Sequence, residues 1–519
     1  MLLESTAIDS AEPHSADYCI IGSGMGGATL AQRLAAAGKD VLLIEAGSFT
    51  AAEGERAIQH EHIGRSFNAP PTRCIEVGGT SNLWHGVCTP LDDSDFASRP
   101  WVQGSGWPID RRELEPYYGI AASMHQVPAD GRFEADALPP VFRNRLTDIT
   151  FNDKVLRRKL VYTRRPPMRW KAALKSLIQR NKLRCMINAP ALELKLDSNG
   201  RTVEELVVGA GERTARVRAR VFIVCCGALE TPRLLLNSNK TIEAGIGNGH
   251  DLVGRNLLDH PAGHFSKLRF NQTTVAPLYA VSRFNESANL SIAVTAAPEQ
   301  QANYRIGNHY LWIRPCVTAK RIDNDLLLSF LGVRGMRDLS LRQIWGILRN
   351  RDLQHRILVH KFGLSPKYKY GDLYISTEQL PNPNSRVTLS KLRDRYGYRI
   401  AAIDWQLSPE DFAGFGRYTK MLFGHGLMSD KYKVARLDDL DVWDRIIAST
   451  AHHLGTARMG ATPSDGVVDR NLQVFGHENL FVCDGSVFRT AGSANPSLTI
   501  TALAIRLAEH LLQRDSRGN

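Results

Sequence analysis

Several features are missing from these 519 residues, and each absence excludes something. No apolar run approaches the ~18–20 residues that a membrane-crossing helix needs, so none is expected. The first residues, Met1-Leu2-Leu3-Glu4-Ser5 and on through Asp9, are acidic where a secretory signal would have a basic region followed by an apolar one. No twin arginine precedes the first strand-like run. There are eight cysteines but no Cys-X-X-Cys spacing, and Cys19, Cys225, Cys226 and Cys483 lie within apolar runs where a thiol behaves as a small hydrophobe. A metal centre or disulfide framework is therefore not expected, and a reducing, cytoplasmic setting fits best. Internal repeats and low-complexity tracts are also absent.

What is present is ordinary in bulk and unusual in charge. Hydrophobic residues make up 43% and charged residues 23%, as in a water-soluble globular chain, and the length exceeds what one core sustains, so two domains are expected. The net charge is +12, concentrated near residues 155–220 and 333–370. Aromatics are not interleaved with these basic stretches as a base-stacking surface requires, so nucleic acid is not an expected partner. An acidic glycan, an anionic membrane surface and an acidic redox partner all remain compatible with the charge.

Residues 16–47 read as strand, turn, helix, strand. Tyr18-Cys19-Ile20-Ile21 is a buried parallel-type run, Gly22-Ser23-Gly24-Met25-Gly26-Gly27 is a turn, Ala28 to Ala37 is helix-forming and stops at Gly38, and Val41-Leu42-Leu43-Ile44 ends in Glu45. Gly22, Gly24 and Gly27 allow a tight turn and close approach of backbone to a pyrophosphate, which then sits on a helix N-terminus. Glu45 follows at close to the ~20-residue offset of a carboxylate that binds ribose hydroxyls. The pattern predicts an adenine dinucleotide without separating FAD from NAD. A third buried strand, Arg220 to Gly227, leads into a helix with Pro232 expected in its first turn. Residues 266–440 hold short strand-like runs, Leu290 to Ala296 and Leu326 to Phe330 among them, which suggests a mostly antiparallel sheet. The fold class is thus α/β, with a discontinuous Rossmann-like domain over 14–125, 181–265 and 441–515. A substrate domain is expected over 126–180 and 266–440.

The C-terminal region carries His452-His453-Leu454-Gly455-Thr456, then Cys483-Asp484-Gly485-Ser486, then Ala494-Asn495-Pro496-Ser497-Leu498-Thr499. A histidine and an asparagine among turn formers suit removal of hydride from an alcohol, one side chain taking the hydroxyl proton and the other fixing the oxygen. With Gly78-Gly79-Thr80-Ser81-Asn82, Val253-Gly254-Arg255-Asn256-Leu257-Leu258-Asp259-His260 and Pro381 to Val387, these blocks resemble the glucose–methanol–choline (GMC) oxidoreductase family over nearly the whole chain. The resemblance implies FAD and oxidation of a small-molecule alcohol, with an electron acceptor that it leaves open. His452 and Asn495 fall on the catalytic positions. The pairing is most similar to the branch of pyranose oxidase, fructose dehydrogenase and glycoside 3-dehydrogenase, which implies a sugar or glycoside substrate. Cofactor contacts are implied at Gly78, Gly79, Ser81, Asn82, Asp484, Pro496 and Thr499. Leu83 stands where members with covalent FAD carry histidine, so noncovalent FAD is expected. His85 either tunes the flavin, meets substrate or points into a neighbouring loop, and His453 is expected to be structural. Segment 339–364 intersperses Leu341, Ile344, Trp345 and Leu348 with arginines at helical spacing. Such a helix suits the core, a partner, an active-site lid or peripheral contact with an anionic membrane.

Overall fold

In the computed structural model the described residues are 1–5, 13–50, 59–65, 73–128, 133, 152–274, 282–283, 288–316, 340–351, 354, 368–426, 432–434 and 447–518. Parallel strands covered on both faces require apolar residues at every position, and the chain supplies them. The first sheet is built from β1 (Leu2–Glu4), β2 (His14–Ile21), β3 (Val41–Ile44), β4 (Arg184–Ile187), β5 (Ala191–Leu196), β6 (Val203–Ala210), β7 (Arg213–Val224) and β8 (Leu480–Val482). Their order is β1-β4-β3-β2-β7-β6-β5, with β8 parallel to the end of β7. Residues 18–21 of β2 and all of β3 are buried. Tyr18 pairs with Val41 on one side and Val221 on the other, both in parallel register.

The chain therefore leaves β2 toward β3 on one side, while β7 lies on the other. The crevice that this reversal opens lies beyond Ile21, where the glycine turn sits. Gly22 has φ +101°, and a β-carbon there would stand 2.4 Å from the Cys225 carbonyl oxygen, so no other residue fits. The turn feeds α1 (Met25–Ala36), which stops before Gly38 as the sequence predicts. After β7 comes α2 (Gly227–Asn237), and after β8 comes α3 (Ser497–Ser516), which packs on α1. Pro232 lies in the second turn of α2, one turn later than expected, because the helix already begins at Gly227. Proline leaves the carbonyl four residues earlier without its helical donor. Thr456 Oγ1 fills that place, donating to Ala228 O at 2.8 Å.

The second sheet is antiparallel throughout, as the sequence suggests. Its order is Tyr432–Val434, Ala262–Thr274, Tyr368–Ser376, Tyr310–Cys316, Ala288–Ala296, Leu156–Arg164, Val87–Cys88, with Ser282–Arg283 paired to Ala288–Ala296. The run Leu326 to Phe330 lies outside the described residues. A small third sheet joins Arg386–Arg393, Arg399–Asp404 and His60–His62. Within 339–364, the described helix spans Leu341–Arg349 and buries none of its residues. Leu341 is 80% exposed and Leu348 65%, so a core role is excluded for that face. Among the described residues no helix is long and apolar enough to cross a membrane.

Candidate functional site

The N-terminus of α1 is a set of backbone donors that no side chain caps. A β-carbon at Gly24 would meet nothing within 4 Å, whereas one at Gly27 would lie 1.9 Å from Gly22 O. Open space thus faces Gly24 while the turn behind it is closely packed, which is the shape that backbone approach to a phosphate requires. A second glycine turn lies opposite. Gly78 and Gly79 both have positive φ, and a β-carbon on Gly79 would come 3.0 Å from Gly24 Cα. One hydroxyl joins the two turns: Ser23 Oγ accepts from Gly78 N at 2.9 Å and donates to Glu45 Oε2. Glu45 also accepts from Ser23 N at 3.1 Å and Gly47 N at 2.9 Å. Burial raises its carboxyl above the ordinary range, against the pull of these donors. Asp484 caps α2, accepting from Gly227 N at 2.8 Å, Thr231 Oγ1 at 2.8 Å and Ser486 N at 2.7 Å. Burial raises its carboxyl too. The uncapped amides, the open space at Gly24 and the buried acid beside it fit an adenine dinucleotide.

Ser81 and Asn82 face this turn from within it. Ser81 Oγ donates to Gly78 O at 2.6 Å and Asn82 Nδ2 to Val77 O at 2.9 Å, so their side chains brace the loop's own backbone. Thr499 Oγ1 lies 3.0 Å from the Tyr118 hydroxyl, and Pro496 is the residue from which α3 starts.

The other half of the site is held by two strands of irregular backbone running side by side. Leu258 and Leu454 exchange both backbone hydrogen bonds at 2.9 Å, which places Asp259-His260 against Thr450 to His453. Asp259, fully buried, accepts from His260 N at 2.6 Å, His452 N at 3.0 Å and the Ser449 hydroxyl. Desolvation opposes its charge, yet His453 and His452 beside it and the Ser449 hydroxyl hold its carboxyl below the ordinary range. His452 Nδ1 lies 3.0 Å from His260 Nδ1 and 3.0 Å from Thr450 Oγ1. Its Nε2 meets Asn495 Nδ2 at 3.1 Å. The structure therefore brings His452 and Asn495 together across 43 residues of chain. Burial, and then the neighbouring His260, push the His452 imidazole well below its ordinary pKa, so it stands neutral. A neutral imidazole nitrogen beside an amide donor can take a proton and hold the oxygen it came from.

His85 is exposed, and its charge acts weakly on His452. Burial pushes His453 down to about 4, against the pull of Asp259 and with that of Arg73 and His62. Sequence reasoning assigned no role to His260, Asp259 or Thr450. The block ending in Asp259-His260 was visible, but nothing in it says which loop it would lie against.

Two family models described as GMC oxidoreductase match residues 171–262 and 381–504, and one described as an NAD(P)-binding Rossmann-like domain matches 20–71. The chain is 26% identical to the fructose dehydrogenase large subunit of Gluconobacter japonicus, over 64% of this chain and 54% of that protein. It is 26% identical to 6'''-hydroxyparomomycin C oxidase of Streptomyces lividus, over 97% of this chain and 94% of that protein. Among solved structures, pyridoxine 4-oxidase from Mesorbium loti shares the fold with a TM-score of 0.54 at 20% identity, covering 96% of this chain and 99% of that one.

Proposed function

The chain belongs to the GMC oxidoreductase family of FAD-dependent enzymes acting on CH–OH donors, and we propose that it oxidises a sugar or glycoside hydroxyl. The observation that carries this is the approach of Asn495 Nδ2 to His452 Nε2 at 3.1 Å. A substrate hydroxyl entering between them loses its proton to His452 Nε2, while the Asn495 amide donates to the oxygen as negative charge grows on it. Bound FAD supplies the hydride acceptor. Gly22, Gly24 and Gly27 hold its pyrophosphate with Gly78 and Gly79 opposite, Glu45 takes the ribose hydroxyls, and Asp484, Ser81, Asn82, Pro496 and Thr499 complete the cofactor wall. Leu83 offers no nucleophile, so the FAD is held noncovalently. In this reading His85 tunes the flavin, meets substrate or points into a neighbouring loop, and His453 is structural. The sugar preference is supported by the His/Asn pairing and by a relative whose name specifies fructose.

The test is anaerobic flavin reduction against a panel of sugars, glycosides and lipid alcohols. Sugars or glycosides are expected to bleach the yellow flavin, and His452→Ala is expected to keep FAD bound but stay yellow. A wild-type protein that stays yellow with the whole panel would instead be a noncatalytic flavin-binding electron-relay subunit, and bleaching by His452→Ala would remove the assigned base. A second reading, the same chemistry on a lipid or secondary-metabolite alcohol at a membrane surface, is favoured by the exposed apolar face of Leu341–Arg349.

A further inference from the structure

We propose that His260 and Thr450 fix the tautomer of His452, keeping its proton on Nδ1 so that Nε2 is the bare nitrogen presented to substrate. The inference rests on the reading of His452 as the base and assigns His260 and Thr450 as positioning residues.

One carbonyl sets the direction of the whole chain of hydrogen bonds. Ala491 O can only accept, so the nitrogen 3.1 Å from it, His260 Nε2, carries a hydrogen. Burial lowers the basicity of His260 and keeps it neutral, which leaves Nδ1 as a lone pair. Facing that lone pair at 3.0 Å is His452 Nδ1, which must therefore donate. Thr450 fits the same answer: its hydroxyl hydrogen has acceptor-only partners in His260 O at 2.8 Å and Asp259 Oδ1 at 3.3 Å, which leaves an oxygen lone pair to face His452 Nδ1 at 3.0 Å. Two acceptors thus converge on Nδ1. A hydrogen there satisfies both, while a hydrogen on Nε2 would leave lone pairs opposed at Nδ1 and set N–H against the amide hydrogens of Asn495.

The same geometry serves the charged state. When the substrate O–H bond breaks and the Nε2–H bond forms, the Nδ1 hydrogen already points at His260 Nδ1, so the second ring shares the positive charge. The buried Asp259 carboxylate, 3.0 Å from His452 N, balances it.

The test uses the FAD-loaded full chain with His260→Phe, His260→Asn and Thr450→Val, reading kcat, KM and the pH profile of kcat/KM. Removing one of the two acceptors at His452 Nδ1 in His260→Phe is expected to lower kcat about 100-fold with little change in KM, the lower end of what a positioned base contributes. The acidic limb of kcat/KM is expected to move to lower pH, since the His452 imidazolium loses the acceptor that holds its Nδ1 hydrogen. In His260→Asn the amide oxygen takes the place of Nδ1 as acceptor, and most of the lost kcat is expected to return. Unchanged kcat and pH profile in His260→Phe, with His452→Ala inactive, overturns the inference alone. Bleaching by His452→Ala overturns the parent reading instead. If His260→Phe fails to hold FAD, the other two variants decide: a lower kcat in Thr450→Val than in His260→Asn supports the inference, and the reverse order overturns it.

Discussion

Glycines 24 and 27 are three positions apart in one turn, yet the structure gives them opposite tasks. At Gly27 the missing β-carbon is a packing requirement, because Gly22 O occupies the place 1.9 Å away. At Gly24 the backbone has φ −63°, which alanine adopts freely, and the space beyond it is empty of protein. Gly24→Ala is therefore expected to fold normally and to weaken FAD binding about tenfold, a loss of ~1.4 kcal/mol. Gly27→Ala is expected to cost ~1–3 kcal/mol of stability through the forced shift of backbone. Titration of the apoprotein with FAD, alongside thermal unfolding, separates the two; equal FAD affinity of Gly24→Ala and wild type would move the pyrophosphate elsewhere. The motif made all three glycines legible in the sequence, but not this division of labour. His260 was legible only as part of a block. Its partner atoms come from Thr450, His452 and Ala491, and contacts across such distances in the chain leave no local pattern.

At the scale of elements, β2, α1 and β3 were readable because buried parallel strands need continuous apolar runs and the turn between them needs glycine. α2 was readable in kind but not in its start, since Gly227 with positive φ opens the helix a turn before Pro232. The helix Leu341–Arg349 shows a different limit. Its apolar spacing predicts a helix, which reciprocal bonds between Ser340 and Gln343 cap, but spacing is blind to what stands opposite. Nine residues are too few to hold a helix by propensity alone, and Trp345 is 58% exposed beside Arg349, whose guanidinium lies over its ring. An apolar face edged with arginines suits an anionic lipid surface. Wild-type protein is expected to pellet with phosphatidylglycerol vesicles at low salt and to be released by high salt. The pair Leu341→Ser and Trp345→Ser is expected to stay in the supernatant. Equal pelleting of the two proteins would remove this helix as the contact.

For the molecule as a whole, buried polar groups tie the two sheets together. Arg99 donates to both oxygens of Glu378, at 2.7 and 2.6 Å, and the same carboxylate accepts from Asn308 N at 2.7 Å and Gly492 N at 3.2 Å. His309 is buried beside this network, accepting from Glu378 N at 3.1 Å, and further neutral imidazoles are buried elsewhere. Burial pushes His125, His309 and His453 each down to about 4. Their unfolded forms titrate near ~6.5, so between those values the unfolded chain binds more protons than the folded one. Stability is therefore fully present above about pH 6.5 and is lost as pH falls toward ~4. The melting temperature is expected to drop steeply over that interval, and His309→Gln is expected to shallow the drop. A flat profile from pH 7 to 4.5 would show that these rings are not held neutral. The two-sheet architecture and the interruption of the first sheet were legible from where buried-strand patterns stop and resume; the Arg99–Glu378 tie was not, because neither residue has a local signature.

β7 is flanked at its end by β8, and α1 is covered by α3, so the first sheet closes only with residues 480–516. On a translating ribosome, the glycine turn and its strand emerge more than four hundred residues before the strand and helix that complete them. The early half must wait with its apolar faces uncovered, exposed to association with other nascent chains. Flavin loading is correspondingly expected late, after the last helix has left the exit tunnel.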